Sequence, residues 1–548
     1  VWNTNWQDEI FRSAVITNHA VDISGGGPTF KGSLGLSYFD QDGIVKKGGY
    51  ERISIRTNLE YNISKYVTAS ANIIFSRSNH DQMNSQGGSR GTTVFLLANA
   101  ALTVKPVEGL SVQIAANVQN SQARSDYTRS LAYPNYDGAA SIDFNEVVDI
   151  TSNNIITYDK GFGRHHLNVM GGITYEQSVS KSVGTGTASG FLSDVVESYD
   201  LDAADIKGLP TSSYSDWRML SFLGRINYNF DNRYLLTVNF RADGSSRYSK
   251  GNKWGYFPSA AVAWRISQEQ FLRQADWLSD LKLRVGYGVT GSTAISPYST
   301  QNTLESVNVV FDKTTTVGYA PKNTYLGDLR WETTGQWNVG LDLALLNNRI
   351  RLTADYYHKK TTNLLNDVEM PRSSGYTTAL RNVGAIRNAG VELQLDTRII
   401  DKAVKWDFGV NLSVNRSKVL SLSDGKDIFG STVSNTIISD QLNLMRIGEP
   451  MYVFYGYVEE GYDDNGQLVY KDLDGSDGIT PADKTIIGNP NPDCLLNFNT
   501  AVSYKGFTLS AFFQGSIGND IYSLSMASAA YDYSSNANTL REVLYNHW

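Results

Sequence analysis

"RISIRTNLEYNI", Arg52 to Ile63, decides how the rest of the chain is read. Every second residue from Ile53 gives Ile53, Ile55, Thr57, Leu59, Tyr61 and Ile63. The residues between are Arg52, Ser54, Arg56, Asn58, Glu60 and Asn62. Successive side chains of a β-strand point to opposite faces, so this is a strand with one apolar face and one charged face. It is long as well. Ordinary strands run to about five or six residues, whereas a tilted strand that crosses a membrane takes about 9–11.

The pattern recurs along the chain. Phe30, Leu34, Leu36 and Tyr38 oppose Lys31, Ser33 and Ser37; Leu110, Val112, Ile114, Ala116 and Val118 oppose Ser111, Gln113, Asn117 and Gln119. Ile350, Leu352, Ala354 and Tyr356 oppose Arg351, Thr353 and Asp355, and Trp406, Phe408, Val410, Leu412 and Val414 oppose Asp407, Asn411 and Asn415. Alternation alone also fits a soluble sandwich. The connections separate the two readings. The pattern places about eighteen strands, and their links alternate between short and long. Short ones fall at 64–65, 106–109, 160–164, 231–232, 347–348, 401–404 and 505–506. Long ones fall at 79–93, 121–151, 179–215, 291–329, 362–387 and 420–493. The link 267–279 fits least well and suggests a helical turn. Consecutive hairpins with turns at one end and loops at the other define an outer-membrane barrel. The fold class is therefore all-β, a transmembrane antiparallel β-barrel with long extracellular loops and short periplasmic turns. The apolar face should meet lipid and the charged face the lumen, with every backbone group paired inside the wall. A one-residue slip would turn Arg52, Arg56 and Glu60 toward lipid. Tyr38, Trp254, Tyr256, Trp264, Trp331, Trp337 and Trp406 are candidates for the interfacial aromatic girdles, each weighed against packing under a loop.

Composition narrows the function. Of 548 residues 19% are charged, below the roughly 25% of soluble domains. A net charge of −7 disfavours nucleic acid as a partner. A single cysteine, Cys494, excludes an intrachain disulfide framework. No apolar run reaches the roughly 20 residues of a transmembrane helix.

Several stretches resemble SusC-like (RagA-like) TonB-dependent outer-membrane transporters of Bacteroidota. They include "NTNWQDEIFRSAVITNHAVDISGG" (3–26), "YFDQDGIVKKGGYERISIRTNLEYNIS" (38–64), "LRWETTGQWNVGLDLALLNNRIRLTADYYHKKTTNLL" (329–365), "RIGEPMYVFYGYVEEGYDDNGQ" (446–467) and "YKDLDGSDGITPADKTIIGNPNPD" (470–493). The resemblance runs in order along nearly the whole chain. It implies a 22-stranded barrel of the plugged type, of which 1–548 is a part. A plug, a TonB box and an N-terminal extension are expected before Val1, and the last strands after Trp548. It further implies a multi-pass protein of a Gram-negative outer membrane and no enzymatic chemistry. Nutrient import is then driven through TonB, together with a SusD-like surface lipoprotein acting as a lid. The expected cargo is an oligosaccharide, with peptide as the other candidate. The competing readings are a passive porin-like channel and a secreted β-rich enzyme or adhesin.

One motif suggests a metal. "DLDGSDGITPAD" places Asp472, Asp474, Ser476 and Asp483 at positions one, three, five and twelve of a candidate calcium loop, with Ile479 at the apolar eighth position. Position six, where the turn favours Gly, is Asp477, which a shifted frame would use as a ligand. The alternative is a solvated acidic loop. His165 and His166 are adjacent on a strand and so cannot share a metal. No catalytic constellation stands out, and no other cofactor is required. Substrate contacts are expected on the lumen wall and the long loops, without individual residues being singled out.

Overall fold

The computed structural model describes residues 4–83, 87–132, 137–293, 295–322, 329–376, 378–434, 438–531 and 539–545. Nineteen strands join one sheet. One of them, Ala188–Ser189, is a two-residue addition to its rim. The other eighteen form an up-and-down antiparallel meander: β1 Ile16–Gly26, β2 Phe30–Asp42, β3 Gly49–Ser64, β4 Val67–Met83, β5 Gly87–Val104, β6 Leu110–Arg129, β7 Ala139–Phe162, β8 His165–Gly184, β9 Thr211–Phe230, β10 Tyr234–Ser245, β11 Trp254–Arg265, β12 Leu278–Ser292, β13 Glu332–Leu345, β14 Ile350–Thr362, β15 Ala385–Asp401, β16 Val404–Ser421, β17 Cys494–Tyr504 and β18 Phe507–Ile517. Each strand pairs with its sequence neighbours in this series.

The register fixes the two faces. Leu59 lies opposite Gly32 and Ala71, and that row continues through Ala100 and Ala116. One residue away, Asn58 lies opposite Ser33 and Asn72, and its row continues through Asn99, Asn117 and Thr151. On the apolar face Ile53, Ile55, Leu59, Tyr61 and Ile63 are all exposed. The polar face bears side-chain contacts such as Ser37 Oγ to Ser54 Oγ at 2.6 Å, and it lines the concavities of the wall. Polar inside and apolar outside is the arrangement that lipid demands of a barrel. No helix among the described residues is long and apolar enough to cross a membrane, which says nothing of strands.

The links alternate as the sequence implies, but the loops are shorter than expected where strands outrun the apolar code. β4 continues to Met83 and β5 begins at Gly87; β6 continues to Arg129 and β7 begins at Ala139. The stretches 79–93 and 121–151 are therefore largely strand. Beyond the lipid band both faces meet water, so alternation fades while backbone pairing continues. At the turn end, Asp231 and Asn232 have φ of 55° and 54°, and Lys505 and Gly506 of 46° and 88°. Positive φ at both positions matches the twist of a tight hairpin. The link 266–277 does hold a 3₁₀ turn, Ile266–Gln268.

Among the described residues, three small clusters of buried apolar residues lie at the loop end. They centre on Phe191 with Ala140, Ala188 and Ala204; on Tyr248, Ile295, Leu329 and Trp331; and on Val419, Leu422 and Met445.

Candidate functional site: lumen wall and mouth

The lumen wall has two chemically distinct flanks. On β2 to β6 the inward row is neutral. Asn58 Nδ2 donates to Ser33 Oγ at 3.1 Å, Asn72 Nδ2 to Asn58 Oδ1, and Asn117 Nδ2 to Asn99 Oδ1. Beside this row on the same face lie the ion pair Lys31 to Glu60 at 3.3 Å and the guanidinium of Arg56. These side chains face a concavity of about 1210 Å³.

On β11 to β14 the inward groups are charged and joined. Arg265 meets Asp280 at 3.1 Å, and Lys282 meets Asp342 at 3.2 Å. Arg284 grips Asp342 through Nε and Nη2 at 2.9 and 3.0 Å, and its Nη2 also reaches Asp355 Oδ2 at 3.1 Å. The fork of a guanidinium suits two carboxylates in this way. Gly340 makes room for it: a Cβ there would come within 2.3 Å of Asp355 Oδ1 and 2.6 Å of Arg284 Cζ.

Near the turns, Glu269 accepts from Tyr234 Oη (2.7 Å), Trp264 Nε1 (3.0 Å) and Arg233 Nη1 (3.0 Å). The hydrogen bond from Tyr234 leads the causes that hold its carboxyl below the usual range.

At the mouth, the long links are folded rather than loose. Within 185–210, Asp194 accepts from Ser130 Oγ (2.7 Å) and Leu131 N (2.9 Å), and Ser198 Oγ donates to the buried Asp126 (3.1 Å). Tyr248 is buried, donates to Ser292 O at 3.2 Å, and has its phenol pushed up to about 12 by burial and the nearby Glu332. Arg247 lies 4.4 Å from the Trp217 ring and donates to Thr293 O and Ile295 O. The link 422–493 is a small lobe with its own four-stranded sheet, tied by Arg446 to Asp427 at 2.7 Å.

The candidate calcium loop lies on this lobe. Carboxylate oxygens of Asp472, Asp474 and Asp483 approach within 4.8 Å of one another. Asp483 is buried and accepts from Leu473 N (2.7 Å), Asp474 N (3.2 Å), Thr480 N (2.7 Å) and Thr480 Oγ1 (3.3 Å). Those donors, the Thr480 amide first, hold its carboxyl below the usual range. Asp472 Oδ1 accepts from Gly475 N and Asp474 Oδ1 from Ser476 N. Ser476 Oγ donates to Gly478 O at 3.4 Å, and Asp477 is not among the converging carboxylates. The left-handed positions are Gly475 and Gly478, with φ of 70° and 87°, so Asp477 is spared the turn that position six was expected to impose. The oxygens are of the hard type calcium takes, and Asp472 and Asp474 each keep a second oxygen to offer.

Among the girdle candidates, Tyr38, Trp254, Tyr256, Trp264 and Trp337 are exposed on the strands. Trp331 is buried in the loop-end cluster and donates Nε1 to Lys253 O at 3.1 Å, so it packs under loops instead. Trp406 is half-buried and donates to Thr500 Oγ1 at 2.9 Å. His165 pairs with Tyr228 and His166 with Asp159, on different partners. The amide row and the Arg284 fork were not singled out from the sequence. The register-matched spacing of Asn58, Asn72, Asn99 and Asn117 becomes visible only once strand pairing is known.

Long two-faced strands, turns at one end, folded loops at the other and a polar lumen define an outer-membrane β-barrel of the large transporter class. The family profile described as "TonB dependent receptor-like, beta-barrel" matches residues 5–539, and the chain belongs to that family. It is 30% identical to TonB-dependent receptor P3 of Formosa agariphila, over 95% of this chain and 59% of that protein. It is also 30% identical to TonB-dependent receptor SusC of Bacteroides thetaiotaomicron, over 100% of this chain and 61% of that protein. The chain thus spans about three-fifths of the length of these relatives. Its fold matches the RagAB peptide transporter with a TM-score of 0.81 at 24% identity, over 94% of this chain and 63% of the other. The outer-membrane transporter YddB of Escherichia coli matches with a TM-score of 0.57 at 12% identity, over 91% and 63%. The family is one of receptors and transporters, not of enzymes.

Proposed function

We propose that the chain forms the wall of a TonB-driven importer that takes up oligosaccharide, with a SusD-like surface lipoprotein over its mouth. The observation that carries this reading is the family match along residues 5–539, on a wall whose inner face bears registered polar rows. TonB and the lid enter through the resemblance to SusC-like proteins. RagAB, a peptide transporter of the same fold, makes peptide the competing cargo. The test is uptake of labelled oligosaccharide and labelled peptide by cells carrying the whole protein. Oligosaccharide should accumulate against its gradient, and a protonophore or loss of TonB should abolish this. Uptake that persists without energy would favour the passive channel, and uptake of peptide alone would change the cargo.

We also propose that the Asp472–Asp483 loop takes calcium, a reading supported by the convergence of its three carboxylates. Calcium should protect the 422–493 lobe from proteolysis at micromolar to millimolar levels, and chelation should reverse this. Equal cleavage with and without calcium would remove the proposal.

A further inference from the structure

The outer face carries a register-matched row of its own at the turn end. Phe162, His165, Phe230, Tyr234 and Trp264 lie directly opposite one another across the five consecutive strands β7 to β11. They share the outward side of their strands with the exposed Ile156, Val169, Ile226, Val238 and Val262. The rings of His165 and Phe230 are 4.9 Å apart between centres, and those of Phe230 and Tyr234 6.3 Å. A girdle of rings is what the membrane boundary asks of any such barrel. It does not ask for the cations set over this one. Lys160 Nζ lies 5.5 Å from the centre of the Phe162 ring, and Arg164 Cζ 5.1 Å from that of Phe230. We propose that Lys160 and Arg164, backed by the ring row, bind the phosphate of an anionic phospholipid in the periplasmic leaflet.

Both cations have donors to give. Lys160 is exposed and has no ion-pair partner among the described residues. It stands two residues inside the strand from Phe162, so its stem runs along apolar surface and returns the ammonium to the rim. The Arg164 side chain is 58% exposed and gives Nη2 to Asp231, which leaves Nε and Nη1. The other end of the row is closed. Arg233, over the Tyr234 ring, is held by Asp231 at 2.8 Å and Glu269 at 3.0 Å, and Glu269 is held in turn by Tyr234 and Trp264. A lipid phosphate at the open end would accept charge-assisted hydrogen bonds from ammonium and guanidinium. The rings beside it would meet the glycerol and the first methylenes. A choline headgroup is disfavoured, because the ring faces that attract quaternary ammonium already carry a cation.

The distribution of charge points the same way. The short links at the turn end together hold eight Lys or Arg against four Asp or Glu, whereas 422–493 at the mouth holds thirteen acids against four bases. A chain of net charge −7 thus keeps a positive pole where it meets the periplasmic leaflet. The unit of ring and cation recurs at two more turns. Lys65 Nζ lies 4.8 Å from the Tyr66 ring and Lys505 Nζ 5.3 Å from the Tyr504 ring, and neither lysine is ion-paired among the described residues. The row of β7 to β11 sits mid-chain and on the outside of the wall. Neither the edges of the sheet nor the contents of the lumen bear on its exposure.

The test titrates the full-length protein in detergent with dihexanoyl phosphatidylglycerol, dihexanoyl phosphatidylcholine and inorganic phosphate, and counts bound lipid by native mass spectrometry. Lys65→Gln/Lys505→Gln is the background, so that the count reports the ring row. Phosphatidylglycerol should bind this background at least about tenfold more tightly than phosphatidylcholine. Adding Lys160→Gln should weaken phosphatidylglycerol about fivefold, Lys160→Arg should not, and phosphatidylcholine should not move. Lys160→Gln/Arg164→Gln should erase the preference, and Lys471→Gln on the mouth lobe should leave it intact. Equal affinity for the two lipids in the background overturns the proposal, and so does a preference that survives Lys160→Gln/Arg164→Gln. Inorganic phosphate that displaces the lipid at equal concentration would overturn it too, leaving an anion patch without lipid recognition. If losing the Arg164 pair with Asp231 prevents assembly, Lys160→Gln, which breaks no ion pair, decides alone, and unchanged phosphatidylglycerol affinity there sinks the proposal.

Discussion

On one flank of the lumen, β3 to β6 present Asn58, Asn72, Asn99 and Asn117; on the other, β12 to β14 present Arg284, Asp342 and Asp355. Both rows are polar, in register and backed by the same kind of outer surface. They differ in what is left to give. The guanidinium of Arg284 spends Nε and Nη2 on two carboxylates at 2.9–3.1 Å, and Asp355 Oδ1 is left without a partner. The amides keep a donor and an acceptor at each rung. A barrel whose outside is set by lipid is thus free to vary its inside, and here one flank joins charges while the other joins neutral amides.

The sharpest way to test that the outside is common is to charge it in both sectors. Leu59→Arg behind the amide row and Val339→Arg behind the Arg284 fork should each destabilise the barrel by about 2–4 kcal/mol. The check is urea unfolding in lipid vesicles, read by heat-dependent gel mobility. A small effect at either position would mean that this part of the wall does not face acyl chains. Breaking the ionic flank comes next. Arg284→Leu leaves Asp342 and Asp355 facing each other without their shared cation. Removing one partner of a fully buried pair costs roughly 3–5 kcal/mol; these groups are about 18–29% exposed, so about 2 kcal/mol is expected after screening. Arg284→Lys should recover only part of it, because an ammonium cannot fork. Full recovery would show that charge alone, and not the bidentate geometry, matters there.

What was legible beforehand follows from where a rule is local. Period-two alternation and turn spacing are local, so the strands, their faces and the two unlike ends of the barrel could be read from Arg52–Ile63 outward. The strand ends above the lipid band could not be read. There Asn79, Arg90 and Tyr127 sit in strands whose two faces both meet polar surroundings. Trp331 looks like any girdle tryptophan in sequence. Only the packing of Tyr248, Ile295 and Leu329 around it, with Tyr248 stacked at 5.1 Å, makes it core. The amide row was hidden for a different reason: its members are separated by turns, and one register shift would scatter them. The acidic loop was visible as a motif, but the use of Asp483 by its own backbone was not.

Asp483 extends the contrast between ionic and neutral partners to the mouth. It is held by amide and hydroxyl donors instead of a cation. Its carboxyl lies below the usual range. The stabilisation is therefore fully present above the ordinary carboxylate pKa of about 4 and is lost as pH falls through that value toward the depressed one. Hydrogen exchange across 472–483 should stay slow from pH 7 to about pH 5, once corrected for intrinsic rate, and open below that. Asp483→Asn should raise exchange on the order of tenfold at neutral pH and flatten the pH dependence. A wild-type loop whose protection does not change with acid would mean that the donors are met in some other way.

The smallest effect bears most directly on the difference between the flanks. Asn99→Ala removes the acceptor for Asn117 Nδ2 on a face that water reaches. The stranded donor can turn to solvent, so the loss should be near the low end for a hydrogen bond, about 0.5–1 kcal/mol. The same unfolding assay that reads Arg284→Leu would resolve it, with Asn99→Ser as the variant that keeps a hydroxyl and should sit between. If Asn99→Ala cost as much as Arg284→Leu, the amide row would be a structural clamp like its counterpart. If it cost almost nothing, water would have taken up the stranded donor in full, and the stiffening of this wall would rest on its ionic flank.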